Sequence, residues 1–344
     1  MNAQETAAIF PGLVDLAAER VGGKALIASD EFFAAKENLL KPGRGVFIPD
    51  KYTDRGKWMD GWESRRKRPP EGRPGTPGHD WCIIKLGLAG AIRGVDIDTN
   101  HFLGNNPAYA SIEACSASAS ASTQSLASGA MKWTEILPKS PLKPGSQNLV
   151  PVLSADRWTH VRLNIYPDGG VARLRVYGNV LPDWSKVKKN QLIDLAAVEN
   201  GGLAVAASDM FFGSKENLTM PGRAATMGDG WETKRRRGPG YDWAIVKLGR
   251  PGTIEKIEVD TNHFKGNYPD ACSIEICNAS SHGVDALTQS EFEWKEILAK
   301  TKLNAHTRHF FVKELKRAGI ATHVRLNIFP DGGVSRLRVW GKIK

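Results

Sequence analysis

The chain has 344 residues, enough for two domains with cores of their own, and its formal net charge of +10 suits anionic partners from a small carboxylate to nucleic acid. With 41% hydrophobic and 24% charged residues it is globular in composition, and no apolar run approaches the length of a bilayer span. The opening "MNAQETAAIFPG" lacks the basic and apolar regions of a secretory leader, so a cytoplasmic protein with no membrane partner is expected.

Taken in chain order, helical periodicity is confined to short stretches, "GLVDLAAE" from Gly12 and "KENLL" from Lys36. "DGWE" at Asp60–Glu63 is a glycine turn that holds two carboxylates three residues apart, with Trp62 between them. It runs into "RRKR" at Arg65–Arg68. A surface for single-stranded nucleic acid needs aromatic rings interleaved with its cations, and only one tryptophan flanks this run, so it reads as a solvated loop face. "GVDIDT" from Gly94 and "ASIEACS" from Ala110 alternate as strands do, and "DTNHFLGNNP" at Asp98–Pro107 turns the chain between them. In a continuing strand Asp98 and Asn100 share one face and His101 takes the other. These three converge on a metal only if the chain turns after Asn100; the plainer reading has Asp98 and Asn100 bracing the turn by side-chain bonds to backbone. "HVRLNIY" from His160 puts Val161, Leu163 and Ile165 on one face and Arg162 and Asn164 on the other. "PDGG" reads as a hairpin turn into "RLRVYG" from Arg173. The cysteines, Cys82, Cys115, Cys272 and Cys277, show no zinc-ligand or CxxC spacing and read as free thiols.

Beyond the polar joint "NVLPDWSKVKKNQ" the chain is written a second time. "LVDLAA" returns as "LIDLAA", "DGWESRRKR" as "DGWETKRRR", "DTNHFLGNNP" as "DTNHFKGNYP", and "THVRLNIYPDGGVARLRVYG" as "THVRLNIFPDGGVSRLRVWG". The offset between copies shrinks along the chain, so the first copy carries two insertions, "VFIPDKYTDRGKWM" and "PPEGRPGTPG", whose composition is that of surface loops. A repeat this long means two whole domains, expected at residues 1–182 and 183–344, each an all-β sandwich of short alternating strands.

The motifs "SDEFFAAKENLL", "DGWESRRKR", "DTNHFLGNNP" and "LNIYPDGGVARLRVYG", with their second copies, resemble those of the allantoicase family over nearly the whole chain. The resemblance implies two tandem jelly-roll domains of the galactose-binding-like type. It also implies hydrolysis of allantoate to ureidoglycolate and urea, a step of allantoin degradation. Such a reaction needs a cation for the substrate carboxylate, an acid for the departing ureido nitrogen, and a base or metal to deliver water. For the cation the candidates are Arg162 and Arg173 with Arg325 and Arg336, read as projecting from the polar side of strands, and Arg65 with Arg235. For acid and base they are Asp60 and Glu63 with Asp229 and Glu232, because Trp62 or Trp231 beside a carboxyl raises its pKa. His101 and His263 are further proton donors, and Asn100, Asn262, Trp62 and Trp231 substrate contacts. No cofactor is implied, no metal ligand is assigned, a divalent metal stays open, and a homo-oligomer is expected. The rival reading is a non-catalytic tandem jelly roll that binds carbohydrate or another small ligand.

Overall fold

The strand alternation read above is realised in a computed structural model that describes residues 10–67, 78–118 and 120–344. Arg68 and the Pro/Gly segment at 69–77 that was read as a surface loop lie outside the described residues, as does the start of the chain before Phe10. The chain divides into two compact units, Met1–Leu181 and Pro182–Lys344.

Unit 1 contains β1 (Val14–Asp15), β2 (Lys24–Ala28), β3 (Tyr52–Thr53), β4 (Gly56–Lys57), β5 (Trp62–Glu63), β6 (Asp80–Asp98), β7 (Tyr109–Cys115), β8 (Thr134–Pro141), β9 (Leu149–Pro151), β10 (Trp158–Tyr166), β11 (Gly170–Val171) and β12 (Arg173–Val180). The long β6 serves two layers. Its first half pairs with β2 and with β10, which continues to β7 and β8; its second half pairs with β12 and β9, and β12 carries β1. All these pairs are antiparallel, and the result is a jelly-roll sandwich. Unit 2 repeats the path with β13 (Ile193–Asp194), β14 (Leu203–Ala207), β15 (Trp231–Glu232), β16 (Asp242–Asp260), β17 (Ala271–Cys277), β18 (Lys295–Lys302), β19 (Arg308–Phe311), β20 (Ile320–Phe329), β21 (Gly333–Val334) and β22 (Arg336–Ile343). No helix among the described residues is long and apolar enough to cross a membrane.

The alternating faces explain the core. Val161, Leu163 and Ile165 are fully buried, as their spacing predicts. In unit 2 the residues Val246, Ile274 and Leu326 of one layer pack in a single cluster with Val259, Leu337 and Val339 of the other. The outer face of the larger layer is partly roofed by a short helix, Thr123–Ala127, whose Leu126 packs with Ile83, Cys115, Trp81 and Trp133. The cysteines are free and buried.

Two expectations are corrected. "GLVDLAAE" is not helical: Asp15 Oδ1 accepts from the N–H groups of Ala17 and Val176, Leu16 N bonds Val176 O, and the segment is drawn out as edge strand β1. "PDGG" does not close a hairpin between β10 and β12, which pair with different halves of β6. Gly169, at φ +137°, redirects the chain so that Gly170–Val171 pairs with Trp62–Glu63 instead. A Cβ on Gly170 would stand 1.9 Å from the Phe102 ring, and Gly333 meets Phe264 in the same way.

Both sandwiches bury a histidine that the sequence reading passed over. His160 and His323 each share a 2.9 Å hydrogen bond between Nδ1 and the preceding threonine hydroxyl. Burial, with Lys85 or Lys247 adding to it, pushes each imidazole down to about 4. The unfolded chain protonates these rings near pH 6.5, so between about pH 6.5 and 4 it binds protons that the folded protein refuses. Each ring therefore contributes stability above that window, which is lost by up to ~1.4 kcal/mol per pH unit as the pH falls through it. In urea melts across this range, the His160→Gln/His323→Gln protein is expected to show a shallower pH slope than the wild type; parallel slopes would refute the assignment.

Candidate active site

The four motifs meet on a strand of two residues. Trp62 is fully buried and its Nε1 donates to Asp30 O at 2.8 Å, which ties "DGWE" to "SDEFF". The backbone of Glu63 exchanges hydrogen bonds with Ala34 at 3.1 and 3.3 Å on one side and pairs with Gly170 of "PDGG" on the other. Asn38 Nδ2 donates to Gly61 O at 2.9 Å. From "GNNP", Asn105 accepts from Gly170 N through its carbonyl at 2.7 Å and donates through Nδ2 to Glu63 Oε1, also at 2.7 Å. Unit 2 reproduces the knot: Trp231 donates to Asp209 O, Glu232 exchanges bonds with Gly213, Gly333 donates to Asn267 O, and Asn267 Nδ2 donates to Glu232 Oε1.

Glu63 is thus held at one oxygen, in a site that is largely dry. Burial pushes its carboxyl above the usual range; the Asn105 hydrogen bond and the charge of Arg66 pull against this, and Asp168 adds to it. Arg66 is exposed and makes no hydrogen bond or ion pair with a described residue, as does its counterpart Arg235. A cavity of about 550 Å³ opens beside the knot, bordered by Ser29, Asp30, Phe32, Lys36, Arg55 and Arg65.

The other candidates are placed differently. Asp60 is bound to Arg173 in a buried ion pair at 2.7 Å, and Arg173 also donates to the Asp60 carbonyl at 3.0 Å. Arg173 and Arg336 were read as strand cations on a polar face; they are 3% and 2% exposed, because the loop ahead of each "DGWE" folds over them. Arg336 pairs with Asp229 at 2.9 Å. Arg162 and Arg325 do lie on the outer sheet face, where they pair with Glu113 and Glu275 at 2.6 Å rather than with any "DGWE" carboxylate. Arg65 was matched with Arg235, but its structural counterpart is Lys234: Arg65 pairs with Asp30 at 2.9 Å and Lys234 with Asp209 at 3.5 Å. Lys67 and Arg236, two positions on, pair with Asp80 and Asp242, so alternate residues of each basic run are anchored.

The "DTNH" turn is braced as its side chains suggest. Asp98 Oδ1 accepts from Asn100 N at 2.9 Å while the carboxylate takes a two-point bond from Arg44, and Asn100 Nδ2 donates to Gly45 O. Asp260, Asn262, Arg223 and Ala224 do the same in unit 2. His101 and His263 both sit at φ +68°, in the left-handed region. His101 is exposed and stacks on Phe47 of the first insertion; the His263 ring bonds Ala224 O at 2.9 Å and lies edge-on to His306. Among the described residues no three His, Cys, Asp or Glu side chains gather as metal ligands.

The residues that reading the sequence missed are Asn105 and Asn267, and the cation Arg66; Arg235 was a candidate, but matched with Arg65 instead of with Arg66. Counting both copies from "DGWE" would have matched the two arginines, and "GN" recurs at the same place in each copy.

The allantoicase repeat family matches residues 14–181 and 193–344. An allantoicase of Dictyostelium discoideum is 49% identical over 94% of this chain and 86% of its own length. A Burkholderia mallei protein named probable allantoicase 1 is 52% identical over 96% of this chain and 94% of its own. The crystal structure of an allantoicase from Saccharomyces cerevisiae superposes with a TM-score of 0.79 at 38% identity, covering 98% of this chain and 96% of that one.

The Asp60–Arg173 pair yields a stability prediction. Burial works to raise the Asp60 carboxyl, but the Arg173 hydrogen bond, the Val46 N–H and the guanidinium charge prevail and hold it below the usual range. Its contribution is present above about pH 4 and is lost as the pH falls through the lowered value. Asp60→Asn leaves Arg173 buried without a counter-charge and is expected to cost about 3–5 kcal/mol in urea unfolding at pH 7. Asp229→Asn should cost less, since that carboxylate is 29% exposed.

Proposed function

The chain belongs to the allantoicase family, and from that premise we propose how its residues carry out the hydrolysis of allantoate to ureidoglycolate and urea. The observation that carries the proposal is the buried carboxyl of Glu63, raised by desolvation and oriented by Asn105, in a knot that unit 2 repeats around Glu232. A carboxyl that keeps its proton above the usual range can give it to the ureido nitrogen as the C–N bond breaks, so that neutral urea departs. The resulting carboxylate then takes a proton from the water that adds to the carbon, which returns Glu63 to its acid form and leaves a hydroxyl on ureidoglycolate. Asn105 holds one oxygen and leaves the other for this transfer. Arg66 and Arg235, which pair with no described residue, supply the guanidinium for the substrate carboxylate, a role the paired Arg65, Arg162 and Arg173 are less suited to. Each unit works on its own substrate molecule. The same reading places the protein in the cytoplasm as a homo-oligomer; four free thiols support a reducing compartment, and exposed Phe211 and Phe212 support self-association.

Glu63→Gln or Glu232→Gln alone is expected to leave roughly half the urea release, and the double variant to lose about 10²–10⁴-fold in kcat. Full activity in the double variant would remove both glutamates from the mechanism. In the Glu232→Gln protein, where only unit 1 works, kcat/KM should fall as the pH rises through the raised pKa of Glu63, because the donor must be protonated. Arg66→Ala combined with Arg235→Ala should raise KM more than it lowers kcat; an unchanged KM would assign the carboxylate to another cation.

A further inference from the structure

The "PDGG" loop sends a buried carboxylate to the basic run that follows "DGWE". Asp168 is 1% exposed, and its Oδ2 accepts from the backbone N–H of Lys67 at 2.5 Å, 101 residues earlier in the chain. In unit 2 Asp331 Oδ2 accepts from Arg236 N at 2.8 Å. The chain leading into each run lies along the same loop. Ser64 N donates to Gly169 O at 3.2 Å and Gly169 N to Ser64 Oγ at 3.3 Å, and Thr233 and Gly332 exchange the matching bonds at 3.2 and 3.1 Å. The residue before Arg66 is tied as firmly. Arg65 N donates to Asp30 Oδ1 at 2.9 Å while its side chain pairs with Asp30 Oδ2, and Lys234 makes both contacts with Asp209. Lys67 and Arg236 are also held through their side chains, by Asp80 and Asp242. Each unit therefore clamps both neighbours of one arginine by N–H and by side chain. That arginine, Arg66 or Arg235, is exposed.

A long, flexible side chain loses freedom when it grips a ligand, and a fixed backbone on either side of it lowers that cost. Asp168 also does more than brace a turn. A backbone N–H needs only a neutral acceptor, and Ser29 Oγ serves Trp81 N in that way at 2.9 Å. Here the acceptor is a carboxylate near the Glu63 carboxyl, where its charge works to keep Glu63 protonated while that of Arg66 works the other way. One loop thus bears on both groups: it pairs with Glu63 through Gly170 and holds the run of Arg66 through Asp168. We propose that Asp168 and Asp331 are positioning residues for the reaction, each fixing the backbone beside the arginine that takes the substrate carboxylate, so that Arg66 and Arg235 are presented from a rigid mount. This rests on the binding role given above to Arg66 and Arg235 and adds to it what holds them in place.

The test is a cycle of substitutions made in both units of the full chain, read as kcat and KM for urea release from allantoate. Asp168→Ala/Asp331→Ala is expected to raise KM about tenfold while kcat changes less than about twofold, the effect of losing one charge-assisted hydrogen bond. Asp168→Asn/Asp331→Asn keeps an oxygen for the N–H and should restore KM to within about threefold of the wild type. In the Arg66→Ala/Arg235→Ala protein the same alanine pair should raise KM no further, because the aspartates act through the arginines. Should the alanine pair impair folding, the asparagine pair runs the same cycle: a KM increase of about twofold to threefold with the arginines present, and none without them. The two readings fail differently. An arginine pair that leaves KM unchanged removes the arginines from binding, and the positioning role falls with them. Where the arginine pair does raise KM, an aspartate effect that is absent, that falls on kcat alone, or that is equally large in both backgrounds overturns the positioning role and leaves the arginines in place.

Discussion

A strand of two residues, Trp62–Glu63, is the constraint on which the site depends. It is too short to hold itself, since two residue pairs on one side and a single bridge on the other supply few backbone bonds. What fixes it is the indole beneath: Trp62 is wholly buried, and its N–H is satisfied by the Asp30 carbonyl, so the ring can fill the core without leaving a polar atom unpaired. With the ring seated, the next side chain has one direction to point, and it points at Asn105. The desolvation of Glu63 is thus a consequence of the tryptophan's packing, transmitted through one peptide unit. Gly170 allows the fourth chain segment to close over the strand, because Phe102 occupies the space where any side chain would project.

The duplication lets one unit serve as a control on the other. Polar contacts that recur in both, such as Asn105 on Glu63 and Asn267 on Glu232, belong to the shared design. Contacts present once give each unit its own surroundings. In unit 1 the inserted loop brings Phe47 against His101, and Arg55 bonds Phe32 O with its guanidinium over the ring of Phe32, which Arg65 also faces. Unit 2 has no such loop; His306 takes the place beside His263, and Phe211 is left 68% exposed. The conserved knot is therefore framed by different walls in the two units.

Much of the sandwich was legible in the sequence because period-2 alternation is a direct statement of which side chains face the core. Val161, Leu163 and Ile165 needed no tertiary knowledge to place. The repeat was legible for the same reason that it exists, as copied text. What escaped was decided by long-range contacts. Asp15 drew its segment into a strand by bonding a residue 161 positions away. Arg173 reads as an outward cation until the loop from Asp60 is seen to cover it. Glu63 could be picked out from its tryptophan neighbour, but its orienting amide lies 42 residues on, in a motif that local reasoning treats as a turn.

The sharing of β6 between both layers, and of β16 in unit 2, bears on how these units come apart. In a sandwich of two separate sheets, one layer can in principle loosen while the other keeps its hydrogen bonds. Here a single strand contributes bonds to each layer along its length, so opening either one strips a flank of the same chain segment and exposes the same apolar side chains. Partial opening then gains little chain freedom while exposing much of the core. Slow amide exchange in each unit should accordingly be a property of the whole sandwich, with the central strand as the last backbone to lose protection.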